Sequence, residues 1–321
     1  MHTFTELAAN FEQHFNQRHF PGQPATLYDA AQYILGIGGK RVRPVAVLMG
    51  NELFAEIDPV AYEIATAVEL FHNFSLIHDD IMDNAPLRRG WETVHVKHGT
   101  STALLAGDVM LVVAYEYICK CRPDQLHAII GLFSKTAKEV CEGQQLDMDF
   151  ERMNEVSLEA YVNMITLKTS VLLAASLQLG AIIGGATPAD QQHVYEFGRK
   201  LGIAFQVQDD YLDAFGDPEK FGKQVGGDIL ANKKTFLMIH ALEVADAQNK
   251  VALEHQLNSQ DPDKVQKVLE IFKSCAVDTW AAALKERYFL EALQHLKQVG
   301  VADDRKLPLI QLANFLLYRE Y

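Results

Sequence analysis

"FSLIHDDIMDN", residues 74–84, sets three aspartates, Asp79, Asp80 and Asp83, among Phe, Leu, Ile and Met. A carboxylate buried in such company without a partner costs several kcal/mol, so the stretch calls for compensating cations. Read as a helix, positions i and i+4 stack on one face, and i+1 lies three residues before i+4. Asp79 and Asp83 can therefore grip one hard cation from a single side. A second copy of the pattern, "FQVQDDYLDAFGD", places Asp209, Asp210 and Asp213 about 130 residues further on. One D-D-x-x-D is commonplace at a solvated helix end; two, each closing an apolar run, are not. Oxygen donors without Cys or a His pair favour Mg²⁺ over zinc, and Mg²⁺ is usually shared with substrate phosphates. The pair of triplets thus points to a phosphorylated ligand held through several divalent ions.

Outward from these motifs the chain reads as helix almost throughout. Ala, Leu, Glu, Lys and Gln are abundant and alternating β-branched runs are scarce. Helices are expected at about 5–17, 25–36, 41–54, 59–83, 100–121, 124–150, 155–183, 188–215, 232–247, 249–258, 263–274, 276–299 and 305–319. Turn chemistry separates them, as in "GIGGK" (36–40), "NAPLRRG" (84–90) and "GGATPAD" (184–190), where Pro188 suits a first helical turn behind Thr187. No linker or low-complexity tract interrupts residues 1–321, so one all-α domain, a single large helical bundle, is the simplest organisation.

Composition narrows the function. The 321 residues are 49% hydrophobic, enough for a large core, and carry a net charge of −13. Such a balance argues against nucleic-acid or anionic-membrane binding, and an anionic ligand needs a local basic cluster or bound cations. The four cysteines, Cys119, Cys121, Cys141 and Cys275, lack zinc spacing and suit free thiols in a reduced, cytoplasmic compartment. The first residues lack a basic region ahead of an apolar run, so no signal peptide is expected. With no window of 18 uninterrupted apolar residues, no membrane span is expected either.

Basic residues cluster near both triplets. "GGKRVRP" (38–44) sets Lys40, Arg41 and Arg43 after a glycine turn at a helix start, a geometry suited to an anion. Arg88 and Arg89 follow the first triplet directly, and His72 lies seven residues before Asp79, about 20° away on a helical wheel. Lys168 and Thr169 interrupt an apolar helix: a buried Lys needs an anion, and the Thr hydroxyl can bond back and kink the helix. Lys223, Lys233 and Lys234 follow the second triplet.

Taken together, "GGKRVRP", "HNFSLIHDDIMDNAPLRRG", "AGDVML", "EGQQLD", "KTS", "FQVQDDYLD", "GK" at 222–223 and "NKK" at 232–234 resemble, in order and spacing, the trans-isoprenyl diphosphate synthases, the polyprenyl synthetase family. The resemblance implies a helical bundle around a central active-site cavity, usually a homodimer, with three Mg²⁺ held by the two Asp motifs. It implies Asp79, Asp83 and Asp209 as direct metal ligands supported by Asp80, Asp210 and Asp213. Arg88, Lys168, Lys223 and Lys233 would contact an allylic diphosphate (dimethylallyl, geranyl or farnesyl). Lys40, Arg43, His72 and Arg89 would hold isopentenyl diphosphate, while Gln206 and Thr169 face the reacting carbons. The implied reaction ionises the allylic diphosphate, lets isopentenyl diphosphate attack C1, and loses a proton to give a chain longer by five carbons.

Product length is expected to depend on bulk upstream of the first triplet. On a helix rising about 1.5 Å per residue, Phe74 lies about 7.5 Å and Phe71 about 12 Å from Asp79. An aromatic Phe74 followed by a small Ser75, with no two-residue insertion in the motif, looks most like a geranylgeranyl (C20) synthase. Farnesyl (C15) or longer products are the alternative. Two remote alternatives are a class I terpene cyclase, which normally carries a different second metal motif, and a non-catalytic partner subunit, which usually has degraded Asp motifs. Only Arg319 is basic in the final "LLYREY", where many relatives are more basic.

Overall fold

The computed structural model describes residues 1–153, 155–216, 225–257, 259 and 261–318. The fold is all-α, as the periodicity implies. The helices are α1 (Phe4–Phe15), α2 (Ala25–Gly36), α3 (Val42–Glu52), α4 (Pro59–Met82), α5 (Val94–His98), α6 (Thr100–Ile118) and α7 (Pro123–Arg152). After these come α8 (Leu158–Ile165), α9 (Val171–Ile183), α10 (Pro188–Phe215), α11 (Gly227–Leu230), α12 (Phe236–Val244) and α13 (Ala247–Leu257). The chain ends with α14 (Lys264–Ser274), α15 (Val277–Gln298) and α16 (Asp303–Leu317). A π-helical turn, Thr166–Ser170, joins α8 to α9, and β1 (Leu87–Arg88) pairs antiparallel with β2 (Trp91–Glu92).

Two compact units make up the chain, with boundaries that fall inside helices. The first comprises Met1–Ala137, Leu172–Tyr195 and Val299–Pro308; the second comprises Lys138–Val171, Glu196–Gln298 and Leu309–Tyr321. In the first unit α4 packs along α6 and α3. Its start is set by Asp58, whose side chain accepts the Val60 N–H at 2.9 Å, and by Pro59 in the first turn. Alanines on the buried faces of α4 (Ala61, Ala65, Ala67) and α6 (Ala103, Ala106, Ala114) let these helices lie close. In the second unit α8, α14 and α15 pack on α12, whose residues Phe236–Ile239 are all buried.

Several local features depart from the periodicity reading. The 87–92 hairpin and the short α5 replace an expected loop, because Arg89 (φ 53°) and Gly90 (φ 81°) supply the two positive φ angles of a tight turn. The helix expected from 232 begins only at Phe236, leaving Asn232–Thr235 as a loop with Asn232 left-handed (φ 56°). Among the described residues two helices prove long and apolar enough to cross a membrane by length and composition, Thr100–Ile118 and Leu158–Ile183. In the most apolar 18-residue stretch of the second, 72% is buried within the protein, as in a core helix; in the first, 44%.

Candidate active site

In the first unit the end of α4 delivers the first triplet. Asp80 points inward and is 2% exposed. The Arg88 guanidinium meets it in a fork, Nε at 3.0 and 2.9 Å from the two carboxylate oxygens and Nη2 at 2.7 Å from Oδ1. Asp79 is half-buried, its carboxylate 3.9 Å from the same guanidinium, and Asp83 is exposed at the helix C-cap. Burial alone would lower the Arg88 pKa, but the Asp80 hydrogen bonds and the charges of Asp80, Asp79 and Asp83 outweigh it and hold the guanidinium charged. The triplet is thus divided: Asp80 pins Arg88, and Asp79 and Asp83 lie on the more open face.

The glycine loop before α3 explains "GGKRVRP". Gly38 (φ 82°) and Gly39 (φ 156°) adopt backbone conformations costly for other residues, and a Cβ on Gly39 would sit 2.7 Å from Arg89 Nη1. Arg89 donates through Nη1 to the Gly38 carbonyl, tying the hairpin to this loop. Arg41, itself left-handed (φ 51°), is buried: its Nη1 meets Glu69 Oε1 at 2.5 Å, Nε meets Glu12 Oε2 at 3.0 Å, and Nη2 donates to the Leu35 carbonyl. It is a pin that orders the loop, leaving Lys40 exposed.

Arg43 Nη1 lies 3.3 Å from His72 Nε2. Burial, then the charges of Arg43, Arg89, Arg88 and Arg41, hold the His72 pKa well below its ordinary value, so the ring is neutral and accepts from Arg43. Burial also lowers Arg43 and Arg89, with Glu69 opposing in each case. Arg43 thus touches a neutral imidazole, and the charges of Arg89, Arg88 and Arg41 act on the same ring, a local concentration of positive charge in a chain of net charge −13 that favours an anion.

Upstream of the triplet, Phe71 and Phe74 are buried with ring centroids 5.6 Å apart. The Ser75 hydroxyl turns back to the His72 carbonyl at 2.8 Å. The aromatic cluster extends beyond the residues expected to form the floor: Phe133 meets Phe71 edge-on at 5.4 Å, and Tyr115 meets Phe133 at 5.2 Å. The buried series Ile129, Phe133, Thr136 and Val140 along α7 is the signal that could have found Phe133.

In the second unit α10 carries the second triplet with the same division. Asp210 is 5% exposed, accepting the Tyr161 hydroxyl at 2.6 Å and the Gln206 amide at 2.8 Å, while Asp209 and Asp213 are half-buried. Burial pushes the Asp210 carboxyl up to about 7, the charges of Asp228 and Asp209 adding to it against the two hydrogen bonds. The Tyr161 hydroxyl is driven well above its usual range by burial and then by Asp210. Asp213 accepts the Asp228 backbone N–H at 3.0 Å.

Lys168 and Thr169 lie in the π-helical turn, so the expected kink takes the form of a widened turn. A threonine does bond back, but it is Thr166, to the Val162 carbonyl at 2.6 Å. Lys168 Nζ reaches Asp147 Oδ2 of "EGQQLD" at 2.5 Å, a partner that sequence reasoning had not assigned. The turn lies against α7 at Gly143, where a Cβ would meet Lys168 N at 2.2 Å. Lys233 is exposed, 3.3 Å from Asp228; Lys234 donates to the Phe150 carbonyl at 2.8 Å; and the buried Lys264 amine donates to Asn232, ordering this loop. Lys223, Gly222 and Arg319 lie outside the described residues.

The donor set suits Mg²⁺. Among the described residues no three His, Cys, Asp or Glu side chains form a ready cage. Carboxylates spaced one turn apart at a helix end instead match an ion bound through one or two carboxylates plus substrate phosphates.

The polyprenyl synthetase family model matches residues 24–275. A short chain isoprenyl diphosphate synthase of Methanothermobacter thermautotrophicus is 38% identical, over 93% of this chain and 92% of that one. A geranylgeranyl diphosphate synthase of Methanosarcina mazei is 36% identical, over 93% and 91%. A crystal structure of a geranylgeranyl pyrophosphate synthase superposes with a TM-score of 0.95 at 41% identity, covering 100% of both chains.

Proposed function

Because this chain belongs to the polyprenyl synthetase family and is thereby a trans-prenyltransferase, we propose that it condenses isopentenyl diphosphate with an allylic diphosphate to make geranylgeranyl diphosphate (C20). The observation that carries the reading is the Arg43–His72 contact beside Arg88, which is pinned by the inner Asp80 of a triplet whose outer members remain on the open face. The proposal takes residues 1–321 as one catalytic domain.

Arg43, His72, Arg89 and Lys40 hold the isopentenyl diphosphate. Neutral His72 accepts from Arg43 and aims that guanidinium, and Arg41 fixes the loop that presents Lys40. Asp79, Asp83 and Asp209 are the ligands for Mg²⁺, three ions in all, with Asp213 in support. Asp80 and Asp210 act one step back, Asp80 by orienting Arg88 and Asp210 by orienting Gln206. Mg²⁺, when bound, supplies positive charge to the diphosphate leaving group. Arg88, Lys168, Lys223 and Lys233 add to that charge at the departing oxygen, an electrostatic form of catalysis. Oxygen dipoles at Thr169, Gln206 and the π-turn stabilise the allylic cation. The double bond of isopentenyl diphosphate attacks C1, and the released diphosphate takes the proton. Phe74, Phe71 and Ser75, backed by Phe133, limit the growing chain.

A cytoplasmic homodimer completes the proposal. Leu104, Leu105 and Val112, exposed by 43%, 57% and 57% along α6, support a helix face that a second copy would cover. The test is release of inorganic diphosphate by EDTA-treated protein given isopentenyl and farnesyl diphosphates. Release is expected only once Mg²⁺ is restored and only with both substrates present; no release under those conditions would sink the proposal.

A further inference from the structure

Behind the anion site of the first unit lies an open cleft of about 480 Å³, within the size range of small-molecule pockets. Its walls include Arg18, Gln32, Tyr33, Trp91, Lys97 and His98. None of these has a part in the chemistry described above. Trp91 presents its indole with the residue 60% exposed, an unusual state for so large an apolar ring. Tyr33 and His98 rings meet edge-on at 5.5 Å. The Lys97 ammonium stands 3.8 Å over the Tyr33 ring and, among the described residues, has no carboxylate partner. Arg18 is already engaged with Asp29 at 2.8 Å and with the Phe20 carbonyl. His98 Nε2 is buried and has no hydrogen-bond partner among the described residues. The cleft thus offers an exposed aromatic face, a cation paired only with a ring, and one unsatisfied polar atom.

We propose that this cleft binds a small planar aromatic anion, its ring stacked on Trp91, its acidic group on the Lys97 ammonium and a polar edge on His98. Binding there acts on the isopentenyl diphosphate site, because the cleft shares its walls with both loops that build that site. Gly36 and Ile37 line the cleft and lead directly into Gly38–Lys40; Trp91 lines it and follows Arg89–Gly90, which is bonded to the Gly38 carbonyl. Tyr33 ties the two together, its hydroxyl donating to the Glu92 carbonyl at 2.9 Å. A ligand wedged against Trp91 displaces the hairpin, and with it Arg89, so affinities at the two sites are coupled in both directions.

The test uses the full chain, with 1-naphthyl phosphate as probe, titrated calorimetrically in saturating Mg²⁺ and inorganic diphosphate so that the substrate sites are filled. One saturable site per chain is expected, with a dissociation constant below about 1 mM. Lys97→Gln should weaken it about tenfold through the lost charged contact, and Trp91→Leu about fivefold through the lost stacking. Without diphosphate, saturating probe should shift the KM for isopentenyl diphosphate at least about twofold in the wild type but not in Lys97→Gln. Lack of saturable binding, binding abolished by diphosphate, or binding unchanged in both variants would overturn the site. An unchanged KM would overturn the coupling. Should Trp91→Leu lower the melting temperature, Lys97→Gln, on the surface of α5, carries the test alone.

Discussion

Gly143→Ala changes one hydrogen to a methyl and is expected to cost both activity and stability. A Cβ there would lie 2.2 Å from Lys168 N and 2.7 Å from Leu167 C, both backbone atoms that cannot swing aside. Reaching an ordinary contact of 3.4 Å requires α7 and the π-turn to separate by about 1.2 Å. That movement carries Lys168 off Asp147 and displaces Thr169. A misplacement of about 1 Å in a positioned catalytic group costs on the order of 100-fold in rate, and overpacking of this kind about 1–3 kcal/mol. Gly131 on the same helix supplies the control, since its Cβ would meet nothing within 4 Å. Gly131→Ala should stabilise the protein by about 0.5–1 kcal/mol through helix propensity and leave turnover unchanged. The assay is steady-state condensation with farnesyl diphosphate, alongside thermal unfolding. The KM for isopentenyl diphosphate should stay near wild type, because the residues proposed to hold it, Lys40, Arg43, His72 and Arg89, belong to the other unit. If Gly143→Ala matched Gly131→Ala in rate and melting temperature, the close seating of the π-turn would not matter and the role given to Lys168 and Thr169 would fail.

Further expectations concern the aspartates and the floor. Asp79→Ala and Asp209→Ala should each abolish diphosphate release with an unchanged far-ultraviolet dichroism spectrum; substantial residual turnover would remove them as metal ligands. Asp210 has its folded pKa raised to about 7 from 3.8, so the folded state binds the extra proton between those values and stability falls as pH rises through that window. In EDTA, Asp210→Asn should therefore raise the melting temperature at pH 8 and change it little at pH 4, and equal effects at both would refute the burial argument. Phe74→Ala should lengthen the product; an unaltered distribution removes Phe74 as the floor and leaves Phe133 and Tyr115 to be tested in the same way.

Much of this was legible in the sequence because helical periodicity and local spacing carry it. The i, i+4 rule placed Asp79 with Asp83 on one face, and "GG" before "KRVRP" announced a backbone turn. What the sequence hid was the division of labour among like residues. Nothing local distinguishes Arg41 from Arg43, yet the left-handed backbone at Arg41 turns it into Glu69 and Glu12. The inward rotation of Asp80 and Asp210 depends on Arg88, Tyr161 and Gln206, two of which are remote or across a turn. Asp147 could be matched to Lys168 only once the π-turn was seen to seat on Gly143. The hairpin at 87–92 and the five-residue α5 were missed because elements so short present no period to read.

Chain elongation that stops at a set length is tested most directly by sizing the products. Purified protein, Mg²⁺ and labelled isopentenyl diphosphate are incubated with dimethylallyl, geranyl or farnesyl diphosphate in turn, and the dephosphorylated alcohols are separated by chain length. A C20 end point from each primer is the result predicted; a C15 or longer end point would contradict the assigned floor, and no elongation from any primer would contradict the enzyme itself.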